Sequence, residues 1–273
     1  MKLSCILPSY KDPLLHKTID SILENSGLPD NEIEVIPILD GYVPETPIKK
    51  DDRIKVVALG RNSGMREAIN AGVRASRGEF ILRADEHNMF APNFGNVLID
   101  NFLSDNWIVT PRRKFLDPVK WEVMDIKPVD YMKLKIVHAG NDRKFSGVEW
   151  DRPNRKYDID ETFAMQGSCW IMKRSWWEQT IGELQTEGYG PHYQDSHEMV
   201  FKTWKNGGQL VVNKLTWHAH KHRDFPRTHN NGTKENPSNN EQCFAYALSV
   251  WEDYFHEVIE PRQNAEIEKD RNV

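Results

Sequence analysis

Two polar residues that follow an apolar run could together bind a metal ion. Asp85 and His87 come directly after residues 80–84, whose sequence Phe-Ile-Leu-Arg-Ala is typical of a buried strand. Alternate side chains of an extended chain lie on the same side, so both are expected to face one ion while Glu86 points away. Open α/β sheets bind their ligands at the carboxyl ends of strands, and this pair stands at such an end.

Three histidines in the C-terminal half could supply a further ligand. His218, His220 and His222 alternate along the chain after a short apolar run. Their spacing alone does not select one of them. One alternative interpretation is therefore a metal-dependent hydrolase that uses these histidines with Asp195 or Asp224. That alternative leaves the patterns of the N-terminal half without an explanation.

The N-terminal half alternates between strand and helix patterns. Apolar runs at residues 3–10, 34–39 and 54–59 predict strands. The spacing of apolar residues over 14–24 predicts a helix that ends at Gly27. This alternation favours an α/β fold with a mostly parallel sheet and right-handed crossovers. The Gly-x-Gly-x-x-Gly fingerprint does not follow the first strand, which disfavours a dinucleotide-dependent oxidoreductase.

Over about residues 1–90 the chain resembles the nucleotide-sugar domain of GT-A glycosyltransferases of the family 2 type. The shared features are Pro8-x-Tyr10 after the first strand, Asp40-Gly41 after the second, the Asn62-x-Gly64 start of a helix rich in small residues, and Gly78-x-Phe80-Ile81 before the metal motif. The resemblance implies the GT-A fold, a Rossmann-like nucleotide-sugar-binding fold with a central, mostly parallel sheet. It also implies an enzyme that transfers a sugar from a nucleotide sugar.

The second half resembles, more narrowly, the polypeptide N-acetylgalactosaminyltransferases, which carry Asp-x-His in place of Asp-x-Asp. The matching features are the Met165-x-Gly167 turn, an acidic helix that ends in Trp204-x-x-Gly-Gly, and a following strand that delivers a histidine. The spacing within this resemblance selects His220 as the third ligand beside Asp85 and His87. One carboxylate with two imidazoles suits Mn²⁺, and Mg²⁺ is also possible.

The resemblance implies a nucleoside diphosphate sugar as donor, with a UDP-sugar preferred. Asp40 would accept a hydrogen bond from the uracil ring, and the loop after the first strand would line the base and ribose. The full set of residues expected to bind the donor is Pro8, Ser9, Tyr10, Asp12, Asp40, Asn62, Gly64, Arg66, Arg83, Asp85 and Arg223.

Asp195 and Glu198 are the candidate catalytic residues. A carboxylate at this helix start deprotonates the acceptor hydroxyl in inverting relatives, and general base catalysis requires such a group. The sequence Gln194-Asp195-Ser196 departs from the acidic pair of those relatives, so inverting and retaining reactions both stay open. The alternatives are structural: Asp195 as a helix N-cap and Glu198 as a first-turn acid favoured by the helix dipole.

The composition limits the class of protein. The chain carries 36 Lys and Arg against 41 Asp and Glu, so a general nucleic-acid-binding surface is not expected. Cys5, Cys169 and Cys243 lie far apart, which favours a reducing compartment over a disulfide framework. No window approaches the ~18 apolar residues of a membrane span. A soluble, cytoplasmic protein is expected.

One GT-A domain is predicted for residues 1–240, with a C-terminal helix and tail at 241–273 packed on it. Within the domain, residues 1–104 form the donor-nucleotide half and 105–240 the acceptor half and a lid. The polar segment 221–240 has too little apolar surface to pack by itself, so it is predicted to close over the donor.

The hydroxyl acceptor is not fixed by the sequence, because fold does not determine function. A glycan, a protein, a small molecule and a modified base in nucleic acid all remain candidates. Basic clusters between residues 105 and 160, interleaved with aromatic residues, would suit a phosphate-bearing acceptor. A catalytically inactive nucleotide-sugar-binding module is a further alternative.

Overall fold

A computed structural model describes residues 1–139, 142–222 and 240–271. The strands in this part of the chain are β1 (Leu3–Ser9), β2 (Ile33–Asp40), β3 (Val57–Leu59), β4 (Phe80–Ala84), β5 (Asn88–Phe90), β6 (Trp107–Asp117), β7 (Glu122–Val123), β8 (Met132–Ala139), β9 (Asp142–Glu149), β10 (Ile159–Glu161), β11 (Cys169–Lys173) and β12 (Gln209–His220). The helices are α1 (Leu15–Asn25), α2 (Met65–Ala75), α3 (Phe94–Asp100), α4 (Arg174–Trp176), α5 (Asp195–Lys205), α6 (Asn240–Tyr254) and α7 (Glu260–Arg271). A 3₁₀ turn covers Asp30–Glu32, and π-helical turns cover Trp177–Ile181 and Phe255–Ile259.

One large mixed sheet forms the centre of the protein. Its main strands run in the order β10-β12-β6-β11-β4-β1-β2-β3, with β5 paired to β12 and β7 to β6. Strands β3, β2, β1 and β4 run parallel to one another, and β6 runs parallel to β12. Strand β11 runs antiparallel between β4 and β6 and joins these two parallel groups. The predicted α/β fold with a mostly parallel sheet is confirmed.

Helices cover both faces of this sheet. On one face α1 and α3 pack through apolar residues such as Ile19 and Leu98, and on the other α2 and α5 pack through residues such as Ile69 and Val200. Strands β1 and β2 are therefore buried along their whole length, as parallel strands between two helical layers must be.

Gly72 explains the close approach of α2 to the sheet. A Cβ atom at this position would lie 2.9 Å from Ile38 Cδ1 and 3.1 Å from Ile6 Cβ. Both distances are shorter than ordinary van der Waals contacts, so only glycine allows the helix to lie this close. The small residues of the helix pattern thus position α2 and the loop that precedes it.

The structure extends and corrects several predicted elements. The short apolar run before the three histidines, residues 209–212, predicts a short strand, and the structure continues this strand to His220 past an irregularity between Asn213 and Trp217. The strand predicted at 54–59 is shorter and covers only Val57–Leu59. The region between residues 105 and 160 supplies strand β6 to the main sheet and the separate hairpin β8-β9.

The C-terminal helices pack on the hairpin and on α5. Trp251 of α6 stacks on Phe201, and Gln263 of α7 bonds the backbone N–H and carbonyl of Leu134 in β8. The helical spacing of the apolar residues in this segment predicts one buried stripe, formed by Phe244, Leu248, Trp251, Phe255 and Val258. This prediction is wrong at Val258, which is 43% exposed, whereas Ile259 is buried. Hydrogen bonds in a π-turn join residues five apart, and this widened turn brings Ile259 to the core instead. No described helix is long and apolar enough to cross a membrane.

Candidate functional site

Three potential metal ligands meet where β4, β5 and β12 come together. Asp85 and His87 lie in the turn after β4, and His220 ends β12 opposite Asn88. His220 Nε2 lies 3.0 Å from His87 Nε2 and 3.1 Å from Asp85 Oδ2. His87 Nε2 lies 3.8 Å from the same carboxylate oxygen. The structure thus brings together the three residues predicted as ligands.

The turn that carries the first two ligands is held by α1 and by the loop before β11. Thr18 Oγ1 donates to the Glu86 carbonyl and accepts from the Asn88 N–H, both at 3.0 Å. The Ser168 carbonyl accepts from the Asp85 N–H at 2.9 Å and from Asn88 Nδ2 at 2.7 Å. These four hydrogen bonds satisfy buried polar groups and fix the turn.

The surroundings of the cluster set the charge states of its ligands. Arg83 Nη2 donates to Asp85 Oδ1 at 2.6 Å. Burial opposes ionisation of Asp85, but Arg83, His220 and His87 outweigh it and hold the pKa of this carboxyl well below its usual range. Burial lowers the pKa of His220 to about 4, against the opposing effect of Asp85. At neutral pH Asp85 is therefore ionised and His220 is neutral, the states in which both bind metals.

The donor set fits a first-row divalent ion. It combines one carboxylate oxygen with two imidazole nitrogens, all within 4.8 Å of one another. Such mixed sets suit Mn²⁺ and its neighbours, whereas Ca²⁺ takes oxygen ligands and Mg²⁺ keeps several waters. Asp85, His87 and His220 are the residues that would hold the ion.

The other two histidines of the C-terminal trio have different surroundings. His218 is fully buried, its Nε2 lies 3.0 Å from Ser168 Oγ, and burial lowers its pKa well below the usual range. His222 Nε2 lies 2.6 Å from Arg113 Nη1, and its ring stacks on Phe115. Among the described members of the trio, only His220 belongs to the Asp85 cluster.

A cavity of about 290 Å³ adjoins the cluster, and Asp85, His220 and Asp195 all line it. Asp195 is the first residue of α5, and Gln194 before it occupies the N-cap position with φ 53°. The interpretation of Asp195 as the helix N-cap is therefore wrong. Its carboxylate is placed at the same cavity as the metal cluster.

Arg66 and Glu198 are placed elsewhere, in a fully buried ion pair. Arg66 also donates to the Tyr193 carbonyl from Nε and Nη2 and to the Gln185 carbonyl from Nη1. Neither residue of the pair is among those that line the cavity. The expectations of donor binding by Arg66 and catalysis by Glu198 are corrected by this geometry, because the hydrogen-bonding groups of both are used to join α2 to α5.

Asp40, Asn62 and Gly64 lie together at the start of α2. The Asp40 carboxylate accepts from the Ser63 N–H at 2.6 Å, from the Gly64 N–H at 2.9 Å and from Asn62 Nδ2 at 2.9 Å. Burial raises the pKa of Asp40, although the two backbone donors oppose this. Gly64 has φ 92°, and a Cβ there would lie 2.5 Å from the Pro191 carbonyl oxygen, so glycine is required. Asp40 thus shapes this loop, and its contact with a uracil ring stays a prediction.

The loop after β1 leads from a hollow of about 650 Å³ to the metal cluster. Tyr42 and Asp12 line this hollow. Ser9 Oγ lies 2.5 Å from the Tyr42 hydroxyl, and the Tyr10 ring meets the Tyr42 ring edge-on. Asp12 Oδ2 lies 3.0 Å from His87 Nδ1. Pro8 lies inside β1, where it is buried.

A sequence profile described as Glycosyl transferase family 2 matches residues 4–181, which is more than half of the chain. The chain belongs to this family. Two curated relatives from Bacillus subtilis (strain 168) are similar over shorter stretches. The uncharacterized glycosyltransferase YwdF is 31% identical over 93 residues, and EpsJ, also described as an uncharacterized glycosyltransferase, is 36% identical over 83. These matches cover 34% and 29% of this chain and only 35% and 24% of the relatives.

Solved structures share the fold of this family 2 chain. A crystal structure of GalNAc-T7 with UDP, GalNAc and Mn²⁺ matches 94% of the chain and 50% of GalNAc-T7, with a TM-score of 0.71 and 16% identity. A structure of S. aureus TarS, residues 1–349, matches 81% of the chain and 60% of that protein, with a TM-score of 0.52 and 16% identity. At this identity the likeness shows a GT-A type fold.

Several residues of the cavity were not predicted from the sequence. Arg113, Ser168, His192 and Tyr193 line it beside Asp195. His192 and Tyr193 directly precede the Gln194-Asp195 pair, so their position next to the candidate base was the available signal. Arg113 lies in the middle of β6, in a region whose shape the sequence did not predict. Residues 223–239 of the predicted lid, which include Arg223, lie outside the described residues.

Proposed function

We propose that this chain transfers a sugar from a nucleoside diphosphate sugar, preferably a UDP-sugar, to an acceptor hydroxyl in a metal-dependent reaction. The observation that carries the proposal is the convergence of Asp85, His87 and His220 at the carboxyl end of β4. Membership of family 2 and the fold shared with GalNAc-T7, whose crystals held UDP and Mn²⁺, support it.

A divalent ion at this cluster would stabilise the negative charge of the departing nucleoside diphosphate. The chain's own residues prepare the ligands for it. Arg83 keeps Asp85 ionised, and burial keeps His220 neutral. A cation at this site would meet an ionised Asp85 and a neutral His220, and Mn²⁺ is the preferred ion.

Asp195 is proposed as the general base toward the acceptor. Its carboxylate lines the same cavity as two of the metal ligands. A base must lie within hydrogen-bond reach of the hydroxyl that it deprotonates, so the proposal requires the acceptor hydroxyl to enter this cavity beside Asp195. The first turn of α5 fixes the residue's backbone, which limits the positions that its side chain can reach.

The donor nucleotide is proposed to lie along the carboxyl ends of β1 and β2. Asp40, with Asn62 and Gly64, forms one wall at the start of α2, and the loop Ser9–Tyr10 forms the other. In this arrangement residues 1–104 bind the donor, residues 105–240 contribute the acceptor side, and 241–273 support the body from outside. Arg223 remains a proposed diphosphate contact.

A turnover assay tests the proposed function. Purified protein is incubated with a panel of nucleotide sugars and crude acceptor extracts, and nucleoside diphosphate release is measured with Mn²⁺ and with chelator. We expect release from a UDP-sugar only with the ion, lost in His220→Ala and retained in the control His138→Ala, since His138 lies on the surface of β8. Metal-dependent hydrolysis of substrates without a nucleotide, and no release from any nucleotide sugar, would instead favour the hydrolase alternative.

A further inference from the structure

The His87 imidazole faces two groups of possible ligands at once. Its Nε2 lies in the cluster with Asp85 and His220, and its Nδ1 contacts Asp12. Asp12, Glu86 and His87 form a second group of potential ligands. The Nδ1 atom lies 3.0 Å from Asp12 Oδ2, a hydrogen-bond distance. An ion can therefore be held on either side of the ring, and the arrangement of protons decides which.

The contact with Asp12 fixes the proton on Nδ1. An ionised carboxylate only accepts hydrogen bonds, and a neutral imidazole donates from one nitrogen and accepts at the other. His87 Nδ1 must therefore carry the hydrogen toward Asp12. The lone pair of Nε2 then points at Asp85 and His220, where a metal ion can use it.

Asp12 is itself held in place. Its second oxygen, Oδ1, accepts from the Leu14 N–H at 2.9 Å, just before α1 begins. The Asp12 side chain is only 8% exposed, so the contact with His87 is shielded from competing water. A carboxylate anchored in this way orients the ring as well as selecting its tautomer.

We propose that Asp12 is a positioning residue for the metal site, and not a contact of the nucleotide as the sequence suggested. It acts through His87, by holding the ring with its Nε2 lone pair directed at the ion. This inference rests on the proposed function, because it assumes that Asp85, His87 and His220 bind the metal.

The two imidazole ligands differ in the hydrogen bonding of their Nδ1 atoms. The Nδ1 atom of His220 is buried and makes no hydrogen bond to the described residues. His87 is thus oriented from behind by a carboxylate, whereas His220 has no equivalent partner in the described chain. Loss of the carboxylate behind a metal-binding histidine costs about 10–100-fold in metal affinity, so we expect Asp12 to matter on that scale.

The test measures Mn²⁺ binding to the full chain without nucleotide, by electron paramagnetic resonance of the free ion. Asp12→Asn and Asp12→Ala should bind Mn²⁺ about 10–100-fold more weakly than the natural chain. The matched control is Asp20→Asn, because Asp20 lies on α1 and its nearest charged partner is the surface residue Lys49. That control should leave the affinity unchanged, and thermal melts establish that every variant is folded.

A second readout reports on the ring itself. In the metal-free natural chain, nitrogen NMR should find the His87 hydrogen on Nδ1, and in Asp12→Ala the population with hydrogen on Nε2 should rise. Unchanged affinity and an unchanged tautomer in both Asp12 variants would overturn the inference and leave the proposed function standing. A natural chain that binds no Mn²⁺ would overturn both. If Glu86→Gln abolishes binding and His220→Ala does not, the ion lies on the Nδ1 side and Asp12 is a ligand.

Discussion

Breaking the buried ion pair between Arg66 and Glu198 should destabilise the fold without removing a catalytic group. Both side chains are almost completely buried. Arg66 Nη1 contacts Glu198 directly, and the Arg66 guanidinium stacks on Tyr189 with its Cζ 4.0 Å from the ring centre. Glu198→Gln removes the negative partner and leaves the Arg66 charge buried among carbonyls and an aromatic ring.

The expected loss follows from the burial of the pair. Removing one partner of a buried ion pair costs about 3–5 kcal/mol, because the remaining charge stays out of water. For a chain of 273 residues the entropy of unfolding is about 0.6 kcal/mol/K. The melting temperature of Glu198→Gln should therefore fall by roughly 5–9 °C.

Thermal melts and urea titrations followed by circular dichroism measure this loss, and turnover is measured on the folded fraction. Glu183→Gln is the matched control, since Glu183 pairs with Arg74 on the surface, where such a pair contributes only about 0–1 kcal/mol. In Arg66→Met with Glu198→Gln, the two losses should be less than additive, because the residues interact directly. A normal melting temperature with turnover reduced about 100-fold would refute the structural role and return Glu198 to the catalytic machinery.

Three further outcomes are expected. Asp195→Asn should lower kcat with little change in UDP affinity, because a base acts only in the transition state; equal losses in rate and donor affinity would contradict this role. Burial holds the pKa of His220 at about 4 and that of His218 well below its usual value, whereas unfolded histidine titrates near ~6.5. Below about pH 6.5 the unfolded chain therefore binds more protons than the folded chain, which destabilises the fold. In chelator, the urea midpoint should fall as the pH is lowered from about 7.5 toward 5. A constant midpoint would argue against neutral buried histidines. Gly72→Ala should cost about 1–3 kcal/mol by overpacking α2 against β1 and β2, and an unchanged urea midpoint would show that the helix moves freely.

The sequence predicted the parts of the protein that depend on local pattern. Alternation along an extended chain predicted that Asp85 and His87 face the same ion. The structure brings both into one cluster, but through a turn at residues 86 and 87 and not through an extended strand. The helix pattern after Asn62 predicted α2 and its small residues, and Gly72 shows why they are needed. His220 was selected only by resemblance to known enzymes, since spacing did not separate it from its two neighbours.

The contacts that the sequence did not reveal join residues far apart in the chain. Arg66 and Glu198 are separated by 132 positions, and Asp12 and His87 by 75. A polar residue next to a motif can equally bind a ligand or pair with another part of the chain, and only the fold brings the partner near. Arg66 was thus predicted to contact the nucleotide, whereas in the structure it bonds Gln185, Tyr193 and Glu198.

The central claim is that Asp85, His87 and His220 bind a divalent ion that in turn binds the nucleoside diphosphate. Calorimetric titration of UDP into the protein tests this directly, first with Mn²⁺ and then with chelator. We expect clear binding with Mn²⁺, and binding weakened at least about tenfold, or about 1.4 kcal/mol, in chelator and in His220→Ala. Equal UDP affinity with Mn²⁺ and with chelator would contradict the claim.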